Sequence, residues 1–402
     1  MLRILRMWVA AWVSVLAIAS AAPAFAGQCK TSQFSLDTDF PAGAMASCVT
    51  VAEDRIRIII APEDAPPINP SPWYAFRLTP IAPGESGMVA VEIDYPQYAH
   101  RYWPKVSTDN RIWDRLQPDA VQSLVKDDEG RTKRVLLKVR LSDIPVFIAG
   151  QELLTPQHYD DWFAMVEKHG DVRKWRLGLS AEKRPIDAIT ISARPGVQKE
   201  QVVLIGRQHP PELTGAIAHL VFTETLLEDS DLAKRYRERF ETIVVPLVNP
   251  DGVVRGHWRH NTGGIDLNRD WGPFTQPETR LLRDVLVGIE NDPNKDLRLF
   301  IDFHSTQKDV VYTIPDRFET DPPMLVTNWL KRYQDRMPGY EVVIEAGHNA
   351  DRPVSKAYIY EAFGAPSATF ELGDETDRKR IERIGREAAI AMMETLLKTE
   401  AP

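Results

Sequence analysis

The stretch Val202-Val-Leu-Ile-Gly-Arg-Gln-His-Pro-Pro-Glu212 decides how the rest of the chain is read. It starts as an apolar run of strand character, meets Gly206, and then sets His209 and Glu212 on either side of two prolines. Leu213, Ala216, Ile217, Leu220, Val221 and Leu227 follow at helical spacing and predict a helix over 212–227. A strand ends, a loop turns, and two good metal ligands sit at the turn. Zinc commonly takes an imidazole and a carboxylate from one short segment and a third ligand from far away, and prolines lower the entropy cost of aiming both at one ion. Taken alone, the pair is a weak signal and reads more readily as a polar loop before a helix; the downstream chain decides between the two.

Downstream, apolar runs predict strands at 188–192, 202–205, 242–248, 297–303, 342–344 and 368–372. Helical patterns fall at 212–227, 277–290, 322–336 and 377–397, with a linker and then a helix over 153–168. This alternation predicts an α/β domain over 151–402, a mixed sheet flanked by helices, with its site at the carboxyl ends of the strands. Upstream the pattern is different. Short alternating runs at 55–60, 73–79, 88–93 and 134–141, separated by turn-rich pieces, predict a smaller β-sandwich domain over 27–150. The aromatic residues Tyr98, Tyr102, Trp103 and Trp113 are read as packing in preference to a sugar-binding patch.

Residues 1–26 are set aside. Arg3 and Arg6, an apolar run over 8–19 and Ala24-Phe25-Ala26 have the pattern of a signal peptide, and the run is short for a membrane span. Removing it takes the formal charge of the 402-residue chain from -8 to -10. An acidic chain without a basic block argues against nucleic acid as a partner. Export to the periplasm or beyond the cell is expected, with no stable membrane insertion once the signal is cleaved. Cys29 and Cys48 are the two cysteines, and an exported pair at this spacing is expected to close one structural disulfide, worth roughly 3 kcal/mol by loop entropy.

Further polar pieces fall at strand ends: Asn249-Pro-Asp-Gly252, Arg259 within Gly256-His-Trp-Arg-His-Asn261, Asp266-Leu-Asn-Arg-Asp-Trp271, and Phe300-Ile-Asp-Phe-His-Ser305. Glu371 stands among apolar residues in Thr369-Phe-Glu-Leu372, where a carboxylate is costly to bury without a partner. In this order, His209-x-x-Glu212, Arg259, Asn268-Arg269, His304 and Glu371 resemble the zinc metallocarboxypeptidases. The Asn-Pro-Asp-Gly, Gly-x-x-Arg and Asp-Leu-Asn-Arg phrases are similar to the cytosolic-carboxypeptidase-like, or deglutamylase, branch.

The resemblance implies a zinc-dependent carboxypeptidase that hydrolyses the C-terminal residue of peptides by a metal-activated water. His209, Glu212 and His304 would hold one zinc ion. Glu371 would be the general base and then acid, and Arg259 would stabilise the oxyanion. Asn268 and Arg269 would bind the terminal carboxylate of the substrate, and Asp266 would orient His209. A basic residue before the catalytic glutamate lies in the side-chain pocket of that branch, and Lys356 falls there if one residue has been lost between the two. Cell-wall peptides or acidic-ended peptides are the expected substrates. There are departures: position 257 is His where the branch usually has Asn, and the tyrosine that covers the substrate in many relatives is unassigned, either missing or replaced, for example by His348, with Tyr358 and Tyr360 expected in the strand beneath. A zinc-dependent acylase of the aspartoacylase or succinylglutamate desuccinylase kind shares the ligand pattern and is the alternative; those enzymes generally lack a β-sandwich in front.

Overall fold

The structure, a computed structural model, describes residues 27–82, 87–197, 200–347, 349 and 351–400. The expected signal segment and His348 lie outside the described residues. Strands β1 (Gln28–Lys30), β2 (Phe34–Asp37), β3 (Ser47–Ala52), β4 (Arg55–Ile59), β5 (Ala75–Pro80), β6 (Gly87–Asp94), β7 (Lys105–Ser107), β8 (Asp114–Arg115), β9 (Val121–Lys126), β10 (Thr132–Leu141) and β11 (Val146–Ala149) come first. They form a six-stranded sheet ordered β1-β2-β5-β11-β7-β8 and a five-stranded sheet ordered β3-β4-β6-β10-β9. Alternate residues of both sheets point into one shared core: Phe34, Leu36, Phe76, Leu78 and Ile148 from the first, Ile56, Ile58, Val91, Ile93, Leu137 and Val139 from the second. Cys29 and Cys48 are joined by a disulfide that ties β1 to β3.

After helix α1 (Pro156–Val166) come β12 (Val172–Leu179), β13 (Pro185–Ile191), β14 (Glu200–Gly206), α2 (Leu213–Leu226), α3 (Asp231–Arg239), β15 (Phe240–Val245) and α4 (Pro250–Arg255). These are followed by α5 (Pro277–Glu290), β16 (Asp296–Thr306), β17 (Val310–Thr313), α6 (Leu325–Arg336), β18 (Ile344–Ala346), α7 (Ser355–Phe363), β19 (Ser367–Gly373) and α8 (Arg378–Leu396). The eight strands make one mixed sheet ordered β12-β13-β15-β14-β16-β19-β17-β18. Its centre is parallel: β14 pairs with β15 and β16, and β16 with β19. Every residue of β14 is buried. Val202 and Leu204 join the core under α2, α6 and α8, while Val203 and Ile205 join the core under α5 and α7. Helices on both faces thus explain why this strand reads as one continuous apolar run. Among the described residues no helix is long and apolar enough to cross a membrane.

Several expected elements shift. The strand expected over 242–248 ends at Val245, because Pro246 has no N–H to offer the ladder. The helix expected from 322 begins at Leu325, after Met324 takes φ +57°. The strand expected over 342–344 is the short edge strand β18 instead. Tyr358 and Tyr360 lie not in a strand but on α7, where Ser355, Lys356, Ala357 and Ile359 are buried.

Candidate metal centre and its cavity

The apolar run of β14 carries the chain to Gly206, and Arg207 then turns it with φ +57°, a left-handed conformation that costs a non-glycine residue energy. Its buried guanidinium donates from Nη2 to Pro210 O at 2.5 Å, bracing the loop from within. Asn249 braces it from outside. Its Oδ1 accepts from Gly252 N at 2.9 Å and caps α4, while its Nδ2 donates to Gln208 O and His260 O at 3.0 and 3.2 Å. Buried Asp251 accepts from Ser180 Oγ and Arg184 Nη1, each at 2.7 Å. The Asn-Pro-Asp-Gly phrase is therefore a bracket that joins the His209 loop to the Arg259 segment.

Glu212 is the N-cap residue of α2. One turn on, Gly215 passes so close to β16 that a Cβ there would lie 2.0 Å from His304 O. This close approach, possible only for glycine, brings Glu212 alongside His304. His209 Nδ1 lies 2.8 Å from Glu212 Oε1, and His304 Nδ1 lies 2.7 Å from Oε2. One donor atom from each of the three residues lies within 4.8 Å of the others.

The outward nitrogens are anchored. His209 Nε2 lies 2.8 Å from Asp266 Oδ1, and His304 Nε2 lies 2.9 Å from Asp302 Oδ2. Asp302 is wholly buried, and the same oxygen accepts from Gln208 Nε2 at 2.6 Å and Ser355 Oγ at 2.5 Å. Each imidazole thus has a carboxylate at its back and turns its Nδ1 to Glu212, and a carboxylate behind a ligating histidine fixes its ring orientation. Two imidazole nitrogens and a carboxylate are a donor set that suits zinc. Burial alone would raise the Glu212 carboxyl, but the charges of His209 and His304 hold it well below the usual carboxylate range. Burial would likewise lower His304, but Asp302 and Glu212 raise it well above an ordinary histidine. A divalent cation satisfies the same carboxylates that favour those protons.

These three residues open onto a cavity of about 520 Å³ that is also lined by Arg101, Arg259, Asn268, Arg269, Tyr312, Arg352, Lys356 and Glu371. The residues singled out from the sequence therefore converge, with Asp266 immediately behind. Glu371 sits on β19 in direct register with His304 on β16. Burial pushes its carboxyl up to about 7. Arg259 donates from Nε to Asp266 Oδ2 at 2.6 Å. Asn268 accepts from Ser355 N at 2.9 Å, and its Nδ2 lies 3.5 Å from His304 Nε2. Arg269 Nη1 donates to Asn268 O at 2.7 Å. Lys356 donates to Thr313 O at 3.2 Å and to Gly347 O, and burial brings its amine down to about 8.

Sequence reasoning passed over Asp302, Tyr312, Arg352 and Arg101. Asp302 had a signal: it stands two residues before His304 and so on the same face of the strand. Tyr312 is a tyrosine of the cavity wall, borne by β17, and it precedes Glu371 by far more than the expected twenty residues. Arg101 comes from the strand-rich N-terminal part, and no local pattern places it here. A larger cleft, about 760 Å³, opens around Arg298, Lys331 and Lys398; none of the residues singled out above lines it.

The chain spans little more than half the length of the curated relatives it matches. It is 26% identical over 298 residues to cytosolic carboxypeptidase 6 of Mus musculus, which covers 70% of this chain and 55% of that protein. An inactive metallocarboxypeptidase of Talaromyces marneffei is 29% identical over 191 residues, 37% of this chain and 32% of its own. Among solved structures, the fold is similar to that of a metallo-carboxypeptidase from Burkholderia cenocepacia, with TM-score 0.74 and 21% identity over 90% of this chain and 99% of that one. The zinc carboxypeptidase profile matches residues 159–391, from α1 through most of α8 and so across His209, Glu212 and His304: the chain belongs to the zinc carboxypeptidase family.

Proposed function

We propose that the protein is a zinc-dependent carboxypeptidase that removes the C-terminal residue of peptides. The observation that carries this reading is the convergence of His209, Glu212 and His304, each imidazole backed by a carboxylate, with Glu371 in register beside His304. Because a relative of this family is inactive, the family alone does not carry the reading; the complete ligand set and Glu371 support it. When bound, zinc lowers the pKa of a coordinated water and polarises a carbonyl. Glu371 takes the proton of the attacking water and passes it to the leaving amine, work suited to a carboxyl whose burial sets it to about 7. Arg259, fixed at Nε by Asp266, turns the rest of its guanidinium to the developing oxyanion. Arg269 and Asn268 hold the terminal carboxylate, which restricts cleavage to the chain end.

The substrate end is proposed to be acidic. Arg101, Arg259, Arg269, Arg352 and Lys356 line the cavity against Glu345 and the catalytic carboxylates, an excess of cations that favours a dicarboxylate end over a neutral or basic one. Export is proposed from the composition of residues 1–26, and the Cys29–Cys48 disulfide fits an oxidising compartment. The test is mass spectrometry of matched peptides ending in Glu, Lys or Leu, as free acid or amide, together with purified cell-wall peptides. The wild type is expected to trim Glu-ended free acids first. Glu371→Gln is expected to keep its zinc and lose about 10²–10⁴ in kcat. Equal cutting of amidated and free-acid peptides would sink the exopeptidase reading.

A further inference from the structure

Glu63 belongs to the loop between β4 and β5, far in sequence from the cavity, yet its carboxylate closes on the backbone at Arg259. Oε2 accepts from Arg259 N at 3.1 Å and His260 N at 2.9 Å, and Oε1 accepts from Trp258 N. Three successive amides thus converge on one carboxylate. The side chain in the middle of that triplet, Arg259, holds Asp266 Oδ2, and the other oxygen of Asp266 meets His209 Nε2. A continuous path of bonds therefore runs from the N-terminal sandwich through the Arg259 backbone and guanidinium to a metal ligand.

We infer that Glu63 is a positioning residue: it fixes the backbone from which Arg259 reaches the reacting carbonyl, so that the sandwich completes the active site. The inference rests on the proposed role of Arg259. A carboxylate is suited to the task because three successive, partly buried amides need acceptors and no strand or helix supplies them in this irregular segment. Simple attachment of the sandwich does not require it. Arg101 pairs with Asp374, Arg115 and Lys105 pair with Glu375, and Arg378 pairs with Glu152, all across the same boundary. Neighbouring contacts hold the segment in the same pose: Trp258 Nε1 donates to Tyr102 Oη at 2.9 Å, and His260 Nε2 lies 3.0 Å from Asp64 Oδ2.

The test is a double-mutant cycle in the zinc-loaded full chain, read as kcat and KM separately. Glu63→Ala is expected to lower kcat roughly 10- to 100-fold, short of the ~10²–10³ lost on deleting an oxyanion donor outright, with KM little changed. Glu63→Gln, which keeps one acceptor oxygen, is expected to fall between. In an Arg259→Ala background Glu63→Ala is expected to do nothing further, because the group it positions is gone. A loss of equal size in both backgrounds, or a change confined to KM, overturns the inference. Amide hydrogen exchange gives a reading that needs no turnover: Glu63→Ala is expected to deprotect Trp258, Arg259 and His260 while the sandwich strands keep their protection. Unchanged exchange at those three amides, or deprotection of the whole boundary, also overturns it. A wild type that carries zinc but trims no peptide would overturn the carboxypeptidase reading instead, and the exchange result would still decide whether Glu63 holds this backbone.

Discussion

Asp302 and Lys356 are single side chains whose burial sets large consequences. Asp302 is the acceptor behind His304, with Gln208 and Ser355 sharing its oxygen. Asp302→Asn leaves the shape but can present an N–H where His304 needs an acceptor, so zinc affinity should fall about 10- to 100-fold. Competition against a chelator measures this, and unchanged affinity would remove Asp302 from the metal site. Lys356 is 1% exposed and anchored by two carbonyls, so its ammonium is a fixed charge at the cavity wall and not a mobile one. Lys356→Met keeps the stem. If the amine pairs with an acidic substrate end, kcat/KM should drop by roughly 2–5 kcal/mol for Glu-ended peptides and hardly at all for Leu-ended ones. Equal losses would place the charge outside the specificity pocket.

At the scale of elements, α2 presses on the sheet through a histidine. His219 is fully buried, stacks on Phe303 at 4.5 Å, and neither ring nitrogen has a hydrogen-bond partner among the described residues. Burial lowers it to about 3, against 6.5 in the unfolded chain. A base depressed in the folded state contributes stability that is present above the unfolded pKa and is lost as pH falls toward the folded one. Between pH 8 and pH 5 this one group should take away about 2 kcal/mol. Urea midpoints at the two pH values should therefore converge in His219→Leu by that amount relative to wild type, after allowance for the packing cost at pH 8. An identical acid loss in both proteins would show that the imidazole is protonated or solvated after all.

Across the whole molecule, the sandwich meets the mixed sheet at the end of β19. Glu375 accepts from Trp103 N at 2.9 Å and Arg115 Nη1 at 2.6 Å, and it pairs with Lys105, whose side chain is 3% exposed. Glu375→Gln would leave that ammonium without its anion. Because the Glu375 side chain is itself about a third exposed, the cost should be about 1–3 kcal/mol, below that of breaking a fully buried pair. Calorimetry should show a lower melting temperature, with kcat per folded molecule retained, since Glu375 does not line the cavity. A variant as stable as wild type would mean that the boundary is held by its other contacts.

The sequence by itself determined the element types around the site. The apolar run at 202–205 predicted a strand of an α/β sheet, and the structure places it at the centre, covered on both faces. Gly206 and two prolines marked the turn that carries His209 and Glu212, and Glu371 stood out as a carboxylate among apolar residues. These signals are local: they depend on side-chain period, backbone freedom and the cost of burying charge. The boundaries were less legible where tertiary contacts outweigh pattern, as in α7, where burial of Lys356 and the capping of Ser355 N by Asn268 hold a helix. Only the tertiary structure decided what stands behind and opposite the ligands. Asp302 reaches His304 because β16 carries both on one face, and Gly215 lets α2 approach β16 closely enough to bring Glu212 between two imidazoles. Arg101 reaches the cavity, and Glu63 the backbone behind Arg259, from a different layer of the molecule. No spacing encodes these meetings, because the residues are joined by packing of sheets and helices far apart along the chain.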